Sequence, residues 1–148
     1  MLNQRKGSTN NTQVGHDFET KAQAFFAQSG LILTPRFRLE IGINGKKPHN
    51  FDLGNEEKKV IIECKDHTWT ESNNLPSAKM TTWDQAMYFF YATPSCGYRK
   101  IFFIRRDYSQ ERRETLGQYY LRTHSHLIPI DVEIWEYDQD YATAIKIN

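Results

Sequence analysis

The stretch HNFDLGNEEKKVIIECKDHTW, residues 49–69, decides the fold of this chain because it contains two β-strands joined by a polar turn. Residues 50–54 and 59–65 have the composition of strands, and the intervening GNEEK predicts a hairpin turn. The second strand is apolar in VII and then ends in the charged triplet Glu63-Cys64-Lys65. A strand that ends in this way indicates a candidate site at the edge of the sheet.

Strand geometry predicts which of these charged side chains come together. Because side chains alternate along a strand, Glu63 and Lys65 are expected on one face, about 7 Å apart, and Cys64 on the other. A hairpin folded about residues 55–58 returns Asp52 close to Glu63. Two carboxylates held together repel one another, and a hard divalent cation such as Mg²⁺ relieves that repulsion. A lysine beside such a cation suits phosphate, so the sequence predicts phosphodiester chemistry at Asp52, Glu63 and Lys65.

The rest of the chain predicts a mixed α/β domain in which helices flank the sheet. Apolar spacing predicts helices over 16–28, 77–91 and 110–124. Strands are predicted in 31–42, at 101–104 as a strand buried on both faces, at VEIWEY, and at the tail YATAIKIN as an edge strand. The polar residues 1–14 predict a flexible N-terminal arm, which leaves 15–148 as a single domain.

Composition and charge exclude several classes of protein. The 148 residues are 39% apolar and 14% aromatic, which argues against wholesale disorder. Nineteen basic residues nearly balance 18 acidic ones, so nucleic-acid binding would have to come from local patches. The two cysteines, Cys64 and Cys96, fit neither a disulfide framework nor a zinc ribbon. With no apolar run long enough to cross a bilayer, we expect a cytoplasmic protein with no membrane contact.

The motif around the hairpin resembles the PD-(D/E)xK nuclease superfamily, which includes type II restriction endonucleases and Holliday-junction resolvases. The resemblance rests on two motifs, FD and IIECK, and on the spacing of eleven positions from Asp52 to Glu63. It covers about residues 15–105. Phe51 stands where the family has its name-giving proline. In GHDFE, Glu19 is similar to the helix-borne glutamate that supports metal binding in many members, and Gln85 resembles a polar residue that some subfamilies bring to the site.

The resemblance implies a restriction endonuclease-like α-β-β-β-α-β core and a hydrolase that cuts DNA with Mg²⁺, or with Mn²⁺ as a substitute. The catalytic residues would be Asp52, Glu63, Lys65, Glu19 and Gln85. The metal ligands would be Asp52, Glu63 and the backbone carbonyl of Cys64. The setting would be restriction, defence or recombination.

Structural alternatives stand beside each of these assignments. An E-x-K sequence also occurs on exposed strands with alternating charges, Glu19 also suits a solvated first helical turn, and Gln85 and His49 also suit an exposed surface. Lys65 is expected to position the attacking water and to stabilise charge rather than to act as the base. Nearby carboxylates favour its charged form, whereas a base must be neutral. The alternative functions are a catalytically weak DNA-binding module and an assembly subunit that keeps the fold.

A homodimer is the expected assembly. One site cuts one strand, so concerted cutting of a duplex requires two copies, and two-fold pairing is the commonest closed assembly. The apolar faces considered for it are the second helix and the helix over 110–124, with Tyr119, Tyr120 and Leu121.

Overall fold

The computed structural model describes residues 16–94 and 97–148 of the chain. The predicted arm over 1–14 and Cys96 lie outside the described residues. The helices are α1 (16–27), α2 (Ser77–Tyr91) and α3 (Leu116–His124), and a 3₁₀ turn follows at Ser125–Leu127. The strands are β1 (Thr34–Ile41), β2 (Lys47–Asn55), β3 (Val60–Lys65), β4 (Arg99–Arg105), β5 (Tyr108–Ser109), β6 (Glu114–Thr115), β7 (Val132–Asp138) and β8 (Thr143–Lys146).

Six of the strands form one mixed sheet in the order β1-β2-β3-β4-β7-β8. The first three strands are joined as antiparallel hairpins, whereas β4 lies parallel to β3 and β7 lies parallel to β4. Strand β8 closes the far edge antiparallel to β7, and β5 and β6 form a separate small hairpin. The parallel connections pass through α2 and α3, as parallel neighbours require a crossover.

Helices cover both faces of this sheet and divide the core into two clusters. Phe18, Ala22 and Phe26 of α1 pack on one face, where they meet Leu53, Ile62, Cys64 and Phe103. On the opposite face, α2 and α3 pack against Phe51, Ile61, Phe102 and Ile104. Residues 101–104 of β4 are fully buried, because that strand is covered on both sides.

The predicted mixed α/β class and the element order of helix, three strands, helix and strand are confirmed. Helix α2 has its predicted bounds, and the predicted edge strand near the end of the chain forms as β8. The helix predicted over 110–124 is wrong in its first half, since Glu114 and Thr115 are in β6. The Thr115 hydroxyl accepts a hydrogen bond from the Gln118 N–H, and the Gln118 side chain accepts one from the Thr115 N–H. This capping box starts α3 at Leu116.

No helix within residues 16–94 and 97–148 is long and apolar enough to cross a membrane.

Candidate active site

The β2–β3 hairpin places Asp52 beside Glu63. Leu53–Ile62 is the last pair of the hairpin, and Asp52 and Glu63 lie directly beyond it on their two strands. Strands β1 and β2 pair on either side of Arg36 and Asp52, but these two residues are not themselves a pair in the ladder. Arg36 has a positive φ of 53° at this irregular point. A carboxylate oxygen of Asp52 accepts a hydrogen bond from the Cys64 N–H at 2.8 Å. Asp52 therefore uses its side chain to bond the neighbouring strand, which fixes the carboxylate at the end of β3.

Helix α1 brings a second carboxyl group to Asp52. Phe18 is buried against the sheet, and this anchors Glu19 next to it at the edge of the Asp52 site. Burial is the largest cause that raises the pKa of Glu19, to about 7, followed by the charge of Asp52 and a hydrogen bond to it. The charge of Glu63 acts in the same direction. The carboxyl groups of Glu19, Asp52 and Glu63 thus form one cluster, which we call the acidic cluster.

Glu63 is the most deeply buried member of the acidic cluster. It is 6% exposed, so the alternative of an exposed strand with alternating charges is wrong for this residue. Burial raises the pKa of Glu63 to about 7, the hydrogen bond with His49 lowers it, and the charge of Asp52 raises it further. Burial of a carboxylate is costly, and the nearby His49 and Lys65 offset this cost only in part, so the pKa remains raised.

Lys65 supplies the cation that faces these carboxyl groups. It lies half-buried at the end of β3, and its charge lowers the pKa of both Glu19 and Glu63. Cys64 points to the other face of the sheet, as predicted, and is buried with the α1 core. Burial raises the pKa of the Cys64 thiol, so this side chain is an inert core group.

His49 belongs to the site, although the sequence favoured an exposed turn position for it. Its Nε2 lies 3.0 Å from a carboxylate oxygen of Glu63. The imidazole stacks on Phe89 of α2 with a centroid separation of 4.0 Å and meets the edge of Phe51 at 4.6 Å. Strand alternation could have predicted this position of His49, because His49 and Phe51 are two residues apart on one strand face and Phe51 is a core residue.

Gln85 is exposed on α2, in agreement with the surface alternative. It lies one helical turn before Phe89, and residues four apart share a helix face. Because Phe89 contacts His49, this face of α2 borders the acidic cluster.

The surrounding basic residues divide into two sets. Lys46 and Lys47 lie at the start of β2, on the side of the hairpin where β3 ends. Lys58 and Lys59 lie in the β2–β3 turn at the opposite end of the hairpin. Arg105 pairs with Asp66 at 3.4 Å. Of these two pairs of lysines, Lys46 and Lys47 are at the end of the hairpin where β3 ends, and Lys58 and Lys59 are at the other end.

The fit of this cluster to a metal ion depends on the number of protein ligands required. Among the described residues, no group of three or more His, Cys, Asp or Glu side chains is arranged to hold a metal ion. Mg²⁺ commonly keeps several waters and takes one or two carboxylates, so Asp52 and Glu63 together suit it. Burial, with the charge of Asp52 as a smaller cause, raises the pKa of both Glu19 and Glu63, and a divalent cation would stabilise their ionised forms.

Comparison with protein-family models, with curated proteins and with solved structures found no match for this chain.

Proposed function

We propose that the chain is a metal-dependent endonuclease that hydrolyses DNA phosphodiester bonds and has a restriction endonuclease-like core of the PD-(D/E)xK type. The observation that supports this function best is the convergence of the acidic cluster with Lys65 where β3 ends. Three elements contribute to it, namely the two strands of the β2–β3 hairpin and, from further away in the sequence, α1. An exposed strand with alternating charges would not gather carboxyl groups from a helix and a neighbouring strand.

Asp52 and Glu63 would hold the metal, together with the backbone carbonyl of Cys64. Bound Mg²⁺, or Mn²⁺ in its place, supplies a Lewis acid for the phosphoryl oxygen and lowers the pKa of a water nucleophile. Asp52 is already fixed by the Cys64 N–H, and His49 orients Glu63, so neither carboxylate has to be ordered when the metal binds.

Lys65 would orient the attacking water and offset the negative charge that develops on the phosphoryl group. It faces the carboxyl groups of Glu19 and Glu63, whose pKa values its charge lowers. Such a fixed cation acts most strongly where charge develops in the transition state. Glu19 would support the metal site from α1 through its contact with Asp52.

A plasmid-nicking assay with purified protein tests this function. Wild type should convert supercoiled plasmid to open circles in Mg²⁺ and not in EDTA, and Asp52→Asn should lose this activity. Glu57→Gln is the matched control, because Glu57 is an exposed carboxylate in the β2–β3 turn, away from the cluster. A wild type that binds the plasmid but never nicks it, in Mg²⁺ or in Mn²⁺, would favour the weak DNA-binding module instead.

A further inference from the structure

Beyond the acidic cluster, the structure places a second imidazole beside the same strand end. His67 lies two residues after Lys65, and its Nδ1 is 2.8 Å from the indole Nε1 of Trp83 on α2. Trp83 is fully buried, whereas His67 is only partly buried. The Nδ1 edge of the imidazole therefore points into the core, and the opposite edge points outward.

The partner of His67 fixes its tautomer. An indole nitrogen can only donate a hydrogen bond, so Nδ1 of His67 must be the acceptor and carries no proton. In a neutral imidazole the proton then resides on Nε2. Burial lowers the pKa of His67 to about 4, and the charges of Lys65 and Lys79 lower it further, so the ring is neutral at physiological pH. The outward edge of His67 is thus a hydrogen-bond donor without a charge.

Two lysines flank this donor. Lys65 precedes His67 by two residues, which is a span of at most about 7 Å along the chain. Lys79 is exposed in the first turn of α2, one helical turn before Trp83 and on the same helix face. Both charged groups that shift the pKa of His67 are cations. A neutral N–H donor on a surface that also carries two ammonium groups matches an anion with several acceptor oxygens.

We propose that His67 donates from Nε2 to a non-bridging oxygen of a DNA phosphate, together with Lys79, and that this phosphate neighbours the one being cut. The inference rests on the proposed endonuclease function and assigns a binding residue outside the acidic cluster. His67 follows Glu63 by four residues and lies beyond the end of β3, so we assign it to the phosphate next to the one at the acidic cluster. Lys65 lies between them and links the two positions. His67 is a binding residue and takes no part in bond cleavage.

Three variants separate binding from folding. His67→Leu removes both nitrogens, so it leaves the Trp83 indole without an acceptor. His67→Asn places its carbonyl oxygen near the position of Nδ1, so it retains an acceptor for Trp83, but it has no atom at the position of Nε2. Lys79→Gln removes one exposed charge and leaves the His67–Trp83 hydrogen bond intact.

The experiment is single-turnover nicking of a labelled DNA duplex by excess protein in Mg²⁺, at several salt concentrations. Both His67 variants should raise the half-saturating protein concentration by about tenfold and leave the maximal rate unchanged. A neutral donor releases no counterion, so the slope of log affinity against log salt should equal that of wild type in both. Lys79→Gln should reduce the magnitude of this slope by about 0.9.

Three results would overturn the inference while the endonuclease function stands. The first is a half-saturating concentration of His67→Asn equal to that of wild type. The second is a lower maximal rate in the His67 variants with an unchanged half-saturating concentration. The third is a salt slope that falls in the His67 variants as it does in Lys79→Gln. Weakened binding in His67→Leu alone would show a structural role through Trp83, which also contradicts the proposal. If the wild type cleaves no duplex at any salt concentration, the proposed function and this inference both fail.

Discussion

The imidazole Nε2 of His49 lies 3.0 Å from a carboxylate oxygen of Glu63, and both residues are largely shielded from solvent. The pair joins β2 to β3 just beyond the point where Asp52 bonds the Cys64 N–H. The two carboxylates proposed as metal ligands are therefore each held by a second group. Such supporting contacts orient ligands, and their loss commonly costs 10–100-fold in metal affinity or activity, as an order of magnitude.

His49→Phe should raise the Mg²⁺ concentration needed for half-maximal nicking by roughly 10-fold or more. Phenylalanine keeps the ring stack with Phe89 but cannot bond Glu63, so the carboxylate loses its fixed orientation. Mg²⁺ titration of the nicking rate measures the change. Unaltered Mg²⁺ dependence in His49→Phe would show that the His49–Glu63 contact serves only the fold.

Metal binding itself should depend on Asp52. Calorimetric titration of wild type with Mg²⁺ or Mn²⁺ should detect a site that Asp52→Asn loses, because an amide replaces a charged oxygen ligand. Glu57→Gln should bind as wild type does, since Glu57 is exposed in the β2–β3 turn. Equal binding by wild type and Asp52→Asn would remove Asp52 from this role.

The acidic cluster should destabilise the metal-free fold at neutral and higher pH. Folding raises the pKa of Glu63 from 4.5 to about 7, so the folded state binds more protons between these pH values and stability is lost as pH rises through them. In EDTA at pH above 7, Glu63→Gln should therefore be more stable than wild type, on the order of 2 kcal/mol. Urea unfolding measures the difference.

The same comparison at low pH is the control for this prediction. Below pH 4.5 the carboxyl group of Glu63 is protonated in both the folded and the unfolded states, so the advantage of Glu63→Gln should vanish there. A constant difference between the two proteins across this range would mean that the burial of charge is not the cause.

Much of this architecture could be predicted from the sequence. The position of α2 follows from Met80, Trp83, Met87 and Phe90, which have helical spacing and are buried. The hairpin that brings Asp52 and Glu63 to the same end follows from a short polar turn between two strands. The late start of α3 also had a local signal, since Thr115 and Gln118 have the spacing of a capping box.

The parts that could not be predicted depend on contacts between distant elements. The bond of His49 to Glu63 requires β2 to extend back to Lys47, and the bond of His67 to Trp83 requires α2 to lie across the end of β3. Local periodicity contains neither fact. The burial of Glu63 was missed for the same reason, because a charged triplet at a strand end suggests solvent until the covering helices are placed.

Lys65 should be required for cleavage and dispensable for the fold. Lys65→Met keeps the length of the side chain and removes the charge, so nicking should fall by about 100-fold or more while the circular dichroism spectrum stays unchanged. Lys58→Met is the matched control, because Lys58 is exposed in the turn at the opposite end of the hairpin. Full activity in Lys65→Met would refute the proposed mechanism.

The last prediction concerns the homodimer. The apolar face of α3 packs into the core. Tyr120 is fully buried and its hydroxyl donates to Asp84, while Tyr119 and Leu121 pack against the core on the α2 and α3 side of the sheet. Helix α2, in contrast, exposes Tyr88 and Tyr91 at 61% and 66%. Of the two faces considered, the α2 face with these tyrosines is therefore the one that remains for pairing.

Light scattering at micromolar concentration should find wild type as a dimer and the double variant Tyr88→Ser, Tyr91→Ser shifted to monomer, because buried tyrosines often dominate interface energies. Tyr141→Ser is the control, since Tyr141 is also exposed, at 79%, but lies in the β7–β8 turn. A monomeric variant has one acidic cluster, so it should still nick plasmid but lose concerted double-strand cutting. A strictly monomeric wild type that makes double-strand breaks with simple first-order kinetics would contradict the dimer, and a monomer that only nicks would point to a nickase.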